Sequence, residues 1–501
     1  MLNLAKKLLA SSIFVLFAVN ALATECEEPA DGDLIVDKDW HLSNEPAEAP
    51  DGKYPENGGT GPFETIQQML DVIQPGDCGF VKESAEPYRE LTGKRGQSIV
   101  GNTFLVGGTS EEERVVVSGF PGQRPIIDNG MIKPEGSWGA AGFLVANGDY
   151  ITIKNFEIRN TTSSGIMMHP SNVNRHILVT NNHIHHNYGD DNIGTVRLDW
   201  CDYCVVRNNV LHDTYKFEVV GSNPINDIPR SMFSGVHGYR PSNCIIENNL
   251  IYNVGGGVFQ KEPNPQKADS NVVRYNIFYN LADAAYVVGN MGAGLNPSFN
   301  PKFHHNLVYR AKGAVSVDHY ETVGTGAGLE VYNNTVVDVE YFVTIANTAD
   351  VVIHSNIIGE TNGGAILAKR PGEPPRYNSF KEVDYNLYYG VPKIIELDRY
   401  LSTSTSFDNV LEWAAAEPLD QLRTQIPVSV GEHSFSANPL FRSETNRNYN
   451  LANGSPAIGK GKGGTTIGAF GNGFNIGPDS TMISERIVTP TAPGVTTKSA
   501  N

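Results

Sequence analysis

Apolar and polar residues in this chain alternate in short bursts, and the bursts recur. Lys-Asn-Phe-Glu-Ile-Arg-Asn at 154–160 returns as Asn-Asn-His-Ile-His-His-Asn at 181–187, Asn-Asn-Val-Leu-His-Asp at 208–213 and Asn-Asn-Leu-Ile-Tyr-Asn at 248–253. Later copies are Tyr-Asn-Ile-Phe-Tyr-Asn at 275–280, His-Asn-Leu-Val-Tyr-Arg at 305–310, Asn-Asn-Thr-Val-Val-Asp at 333–338, Ser-Asn-Ile-Ile at 355–358 and Tyr-Asn-Leu-Tyr-Tyr at 385–389. With Asn155, Asn182, Asn209, Asn249, Asn276, Asn306, Asn334, Asn356 and Asn386 taken as equivalent, the spacings are 27, 27, 40, 27, 30, 28, 22 and 30. Such a period, with two-residue alternation inside it, predicts one supersecondary unit per repeat, too small to bury its apolar face alone. The pairs Val205-Val206, Ile245-Ile246 and Val272-Val273 precede the anchors, and β-branched runs suit strands buried in parallel sheets. Asparagine turns a strand by adopting the left-handed region, and stacked amides bond along a fibre or solenoid axis. No Leu-x-x-Leu-x-Leu framework appears. The pattern predicts an all-β, single-stranded right-handed parallel β-helix of about nine or more coils.

Both ends of the solenoid carry capping signals. Residues 61–77 read as a helix with Pro62 near its first position, and Ile66, Met69, Leu70 and Ile73 form one apolar stripe able to cover the open first coil. The asparagine phrase fades after residue 390, and 407–425 reads as helical. The organisation expected is a signal peptide over 1–23, an N-terminal region with the capping helix and first coils over 24–150, and a β-helix core over 151–400. A C-terminal capping segment over 401–478 and a disordered Thr-, Ser- and Pro-rich tail over 479–501 follow.

Charge and cysteines narrow the setting. Lys6 and Lys7, the apolar stretch Leu8 to Leu22 and Ala21-Leu22-Ala23 have the layout of a cleaved signal peptide, so an extracellular or periplasmic protein is expected. No segment reads as a membrane span. A formal charge of -17 excludes nucleic acid as the expected partner, while a local basic cleft on an acidic body remains compatible with a polyanionic substrate. The chain is expected to act as a monomer. Cys26 and Cys78 are placed to tie down the N-terminal region. Cys204 and Cys244 stand at equivalent positions in adjacent repeats, where strands lie about 4.8 Å apart, a spacing a disulfide tolerates. Cys201 is then left over.

Residues some 10–17 beyond each anchor should form a second strand per coil. These strands include Gly165–His169, Gly194–Asp199, Gly235–Arg240, Gly257–Glu262, Val287–Asn290 and Val315–His319. Aligned as one sheet, they collect His169, Arg197, Asp199, His237, Tyr239, Arg240, Lys261, Asn290 and His319 into a column. Several titratable groups on successive coils form a candidate site, whereas a single one is a solvated surface residue. A one-residue slip in register would turn a side chain to the other face. The 40-residue spacing holds an insertion near Tyr215 to Met232, placed to form a cleft wall.

The phrases Gly61-Pro62-Phe63-Glu64-Thr65-Ile66 and Gln74-Pro75-Gly76-Asp77, the asparagine repeats, and the closure at 455–459 and 467–470 resemble the pectate-lyase superfamily of extracellular β-helix proteins. The resemblance covers most of the chain and implies the fold; its members include lyases, hydrolases, epimerases and surface proteins, so the reaction must come from the site. Gly257-Val-Phe-Gln-Lys261 followed by Asn271-Val-Val-Arg-Tyr-Asn276 is similar to the segment that carries the lysine base in some uronate lyases, which implies Lys261 as base. β-Elimination requires a cation on the C6 carboxylate and a base that reaches the C5 proton. Arg240 and Arg197 suit the first task, and Lys261, or His237 with Tyr239, the second. His169, Asn290 and His319 are candidate substrate contacts. Asp190-Asp191 is similar to the acidic pair of calcium-dependent pectate lyases, and Asp190, Asp191 and Asp199 are the candidate Ca2+ ligands. The expected partner is an acidic polysaccharide. The alternatives are a β-helix glycoside hydrolase, which needs two facing carboxylates, and a non-catalytic glycan-binding surface protein.

Overall fold

The computed structural model describes residues 26–44, 46, 48–91, 99–169, 172–190, 192–216, 232–261, 271–289, 300–318, 326–369, 378–397, 405–407, 424–425 and 429–470. The expected signal peptide, the 479–501 tail, the insertion at 217–231 and the interior of the expected 407–425 helix lie outside these residues. Residues Thr405–Phe407 and Thr424–Gln425, at the edges of that expected helix, are strands. The chain divides into two compact units, Met1–His183 and Ile184–Asn501.

Each unit is a stack of parallel strands wound as a right-handed β-helix. In the first, Leu34–Val36, Cys78–Val81, Val115–Gly119, Ile151–Lys154 and Leu178–Thr180 pair in succession. A second series runs Ile99–Phe104, Gly139–Val145 and Ile166–Met168. Its interior is filled by Phe104, Phe143 and Phe156, all fully buried and in ring contact. The N-terminal helix is shorter than the spacing predicts: it spans Ile66–Leu70. Thr65 and Gln68 close a capping box there, so the chain enters the helix at Thr65 rather than at Pro62. Phe63, just upstream, bridges Val36 instead. The apolar stripe does what its spacing implies, with Ile66, Met69, Leu70 and Ile73 at most 3% exposed.

In the second unit, one sheet runs Val205–Arg207, Ile245–Glu247, Val272–Arg274, Lys302–His304, Gly326–Tyr332, Thr348–His354 and Asn378–Asp384. Between this sheet and the next, the chain turns through the asparagines. Asn209, Asn249, Asn276, Asn306, Asn334 and Asn356 each donate their backbone N–H and side-chain Nδ2 to the Oδ1 of the next asparagine, at 2.9–3.2 Å. The ladder ends where the Asn386 N–H donates to the Ser434 hydroxyl. The ladder asparagines are not themselves the left-handed residues. That conformation falls on the preceding position: Asn208, Asn248, Tyr275, His305, Asn333, Ser355 and Tyr385 have φ between 52° and 57°. Asn155, with φ 66°, therefore belongs to the turn position. Phe156 takes the ladder position in that coil, its N–H donating to Asn182 Oδ1 at 3.0 Å, so the first repeat spacing is one residue shorter than the sequence alignment assumed.

The disulfides are Cys26–Cys78 and Cys201–Cys204, and Cys244 is a buried cysteine outside both. The first agrees with the expectation. The second corrects the Cys204–Cys244 pairing: Cys204 and Cys244 do stand in register, one residue before the paired Val205 and Ile245, but the turn brings Cys201 back onto Cys204. The C-terminal closure packs outside the sheets, with Ala457 and Ile467 against Ile357 and Leu387, and Ala469 near Leu307. Among the described residues, no helix is long and apolar enough to cross a membrane.

Candidate active site

Three successive strands of the second unit, Ile193–Leu198, Phe233–Tyr239 and Val258–Lys261, pair in parallel, and Ala284–Gly289 continues the sheet. Their register decides the site. Val196, Val236, Val258 and Tyr286 align as one buried inward column. Aligning the coils on their glycines would set Gly194 beside Gly235. The structure instead pairs Gly194 with Ser234 and brings Thr195 to Gly235, whose carbonyl accepts from the Thr195 hydroxyl at 2.6 Å. Gly235 itself has no room for a side chain: a Cβ there would lie 2.5 Å from the Ile251 side chain. The slip puts Arg197 opposite His237 and Tyr239 opposite Lys261, all with the outward parity of a β-strand.

The outward side chains converge. Lys261 Nζ donates to Tyr239 Oη at 2.6 Å and to Asn192 Oδ1 at 3.1 Å. The Arg197 guanidinium lies 5.5 Å from the Tyr239 ring centroid, and its NH1 donates to the Asn192 carbonyl at 2.9 Å. Arg197 Nε donates to Asp199 Oδ2 at 2.7 Å, and the other Asp199 oxygen accepts the Tyr239 N–H at 3.0 Å. Asp199 is fully buried. Burial pushes its carboxyl above the ordinary carboxylate value, with Arg197, the Tyr239 N–H and Lys261 pulling the other way. Arg240 follows at the corner with φ 54°; its N–H donates to the Lys261 carbonyl at 2.9 Å, and its guanidinium stacks 4.6 Å over the Trp200 ring of the preceding coil.

His237 sits beneath this group. It has no solvent exposure, and its ring meets Phe259 edge-on at 5.1 Å and lies 5.5 Å from Tyr239. Burial, then the charges of Arg197 and Lys261, hold its imidazole well below the usual value, so it is neutral. Neither ring nitrogen finds a hydrogen-bond partner among the described residues. The structure thus makes His237 a packing neighbour of Tyr239, away from solvent.

His169 follows the strand Ile166–Met168 of the first unit, its N–H donating to the Val145 carbonyl. Asp190 is exposed in the turn before the Arg197 strand. Asn290, His319 and Asp191 lie outside the described residues. Asn192 and Trp200 escaped the sequence reading because both sit in turns just outside the aligned strands. Both have positive φ, 49° and 52°, a property one sequence does not display for a tryptophan. Calcium takes six to eight oxygen ligands. Both oxygens of Asp199 are committed to Arg197 and the Tyr239 N–H, and no metal-capable group of three or more described residues includes Asp190 or Asp199. Asp191 lies outside the described residues; Asp199, with both oxygens committed, does not fit a calcium site.

The fold is a right-handed parallel β-helix. A family model described as a right handed beta helix region matches residues 137–358. Comparison with curated proteins finds no match. Among solved structures, pectate lyase Pel9A aligns over 84% of this chain and 93% of its own, at 13% identity and a TM-score of 0.52. A mannuronic acid specific polysaccharide family 6 lyase from human gut microbiota aligns over 68% of this chain and 74% of its own, at 13% identity and a TM-score of 0.43. The GH136 lacto-N-biosidase from Eubacterium ramulus aligns over 69% and 63%, at 13% identity and a TM-score of 0.42. At 13% identity, what this chain shares with pectate lyase Pel9A is the fold.

Proposed function

We propose that this protein is an exported polysaccharide lyase that cleaves an acidic, uronate-containing polysaccharide by β-elimination. The reading is carried by the Lys261 amine and the Tyr239 hydroxyl, 2.6 Å apart, with the Arg197 guanidinium over the same tyrosine ring. A guanidinium on the substrate's C6 carboxylate stabilises the charge that develops when the C5 proton leaves. Arg197, oriented by Asp199, and Arg240, held on Trp200, are the groups for that task. Lys261 as the neutral amine takes the C5 proton, and Tyr239 gives its hydroxyl proton to the departing O4. A touching base and acid suit removal of the proton and the leaving group from one face of the ring. Positioned proton transfer of this kind is worth about 10²–10⁴ in rate. His237 supports Tyr239 from below. A hydrolase needs two carboxylates facing the bond. Among the described residues, the carboxylate in contact with this cluster is Asp199, which is buried and ion-paired.

The test is incubation with polygalacturonate, alginate and dermatan sulfate, each with and without chelator. Ultraviolet absorbance from unsaturated uronate, lost in Lys261→Ala, supports the reading. Reducing ends without absorbance point to hydrolysis, and an active Lys261→Ala removes the assigned base.

A further inference from the structure

We infer that Asn192 is a positioning residue that aims the Lys261 amine at the substrate; this rests on the lyase reading above. The argument starts from the geometry of a neutral amine. Its nitrogen carries the bond to Cε, two N–H bonds and one lone pair, arranged tetrahedrally. In isolation it spins about the last side-chain bond, and the lone pair has no fixed direction. Here Nζ has two partners, Asn192 Oδ1 at 3.1 Å and Tyr239 Oη at 2.6 Å. An amide oxygen only accepts, so one N–H is directed at Asn192. With the second directed at Tyr239, a single direction remains for the lone pair. When the amine has taken a proton, the new N–H occupies that same direction, so the two fixed contacts persist through the step.

The same residue steadies the second cation. The Asn192 main-chain carbonyl accepts from Arg197 NH1 at 2.9 Å, so one turn spaces the base relative to the carboxylate anchor. The turn lies two coils before Lys261 along the sheet, and it requires φ 49°, a conformation asparagine tolerates better than most residues. Neutrality matters as much as shape. An aspartate would fit the same space, but its charge would hold Lys261 as an ammonium unable to accept a proton.

The experiment compares Asn192→Asp and Asn192→Ala with the wild type. Both leave the main-chain contact to Arg197 in place, and aspartate also tolerates the turn. In Asn192→Asp the acid limb of the kcat/KM profile is expected to move up by about one pH unit or more, because a full charge then faces the amine at hydrogen-bond distance. Asn192→Ala is expected to lower kcat by about 10- to 100-fold with KM nearly unchanged, the signature of lost aim rather than lost binding. A second readout needs no substrate: the pH dependence of Lys261 acetylation by acetic anhydride, followed by peptide mass spectrometry, should also move up in Asn192→Asp. An active wild type whose Asn192→Asp profiles overlay its own in both assays overturns the positioning role. A wild type that yields no unsaturated product on any uronate polymer overturns the lyase reading instead, and the acetylation curve then reports on the Asn192–Lys261 contact alone.

Discussion

Replacing Asn276 with alanine tests whether the asparagine ladder holds the coils together. Asn276 is fully buried. Its Oδ1 accepts the Asn249 N–H at 2.9 Å and Asn249 Nδ2 at 3.0 Å, and its Nδ2 donates to the Ile246 carbonyl at 2.9 Å. After truncation the Asn249 side chain keeps the Val206 carbonyl as a partner. The Asn249 N–H loses its partner inside the protein, while the Ile246 carbonyl loses the side-chain bond and keeps its place in the pairing with the Val272–Arg274 strand. A buried polar group left unsatisfied costs about 1–3 kcal/mol and a lost hydrogen bond about 0.5–1.5 kcal/mol, so together they cost about 1.5–4.5 kcal/mol, a sizeable share of the roughly 5–15 kcal/mol that separates native from unfolded domains. Asn253→Ala is the comparison. That asparagine lies outside the ladder and, unlike Asn276, has a positive φ, 52°; it is half-buried and accepts a single side-chain hydrogen bond, from Asn280 at 3.1 Å. Its loss should cost about 1 kcal/mol. Urea unfolding followed by circular dichroism, with m-values compared to confirm that the same surface unfolds, measures both. If Asn276→Ala costs no more than Asn253→Ala, the ladder is not a source of coil-to-coil stability, and the argument from unsatisfied partners is wrong here.

Tyr239→Phe removes the hydroxyl but keeps the ring packed on His237 and Arg197; unsaturated-product formation should fall about 10²–10⁴-fold while the melting temperature stays near wild type. Cys201→Ser should let Cys204 bond its register neighbour Cys244, so thiol titration of the unfolded, unreduced variant should find no free thiol; two free thiols would show that the neighbouring coil cannot supply the partner. Glu90 makes stability depend on pH. Burial raises its carboxyl to about 7, against the opposing N–H groups of Gln67 and Ile66. A folded value above the unfolded one means stability is greatest below about pH 4.5 and declines as pH rises through about 7. The loss is roughly 3–4 kcal/mol at most, and Glu90→Gln should flatten that part of the stability curve, as read from urea midpoints between pH 4 and 8.

The solenoid was legible because its cause is local and repeated. An asparagine between two short apolar pairs carries its meaning within about six residues, and eight further copies rule out coincidence. The Ile66–Ile73 stripe was legible for the same reason, and so was the Cys26–Cys78 pair within one region. Lys261, Arg197 and Tyr239 stood out as chemistry, since titratable groups are conspicuous on strands otherwise filled with valine and glycine.

What tertiary structure alone decided was register and contact. The strands set Gly194 beside Ser234 and Thr195 beside Gly235, and Gly235 must lack a Cβ because Ile251, from another strand of the winding chain, fills that space. That one-residue choice turns Arg197 toward Tyr239. The Lys261–Asn192 bond joins residues 69 positions apart, and the ion pair that withdraws Asp199 from metal binding depends on how deeply its strand is buried. The Cys201–Cys204 bond likewise reflects a turn whose shape no spacing rule contains. Repeats announce a fold because every copy has the same local energetics; a site arises where copies differ, and the difference acts only across the gap between neighbouring coils, where packing sets which side chains meet.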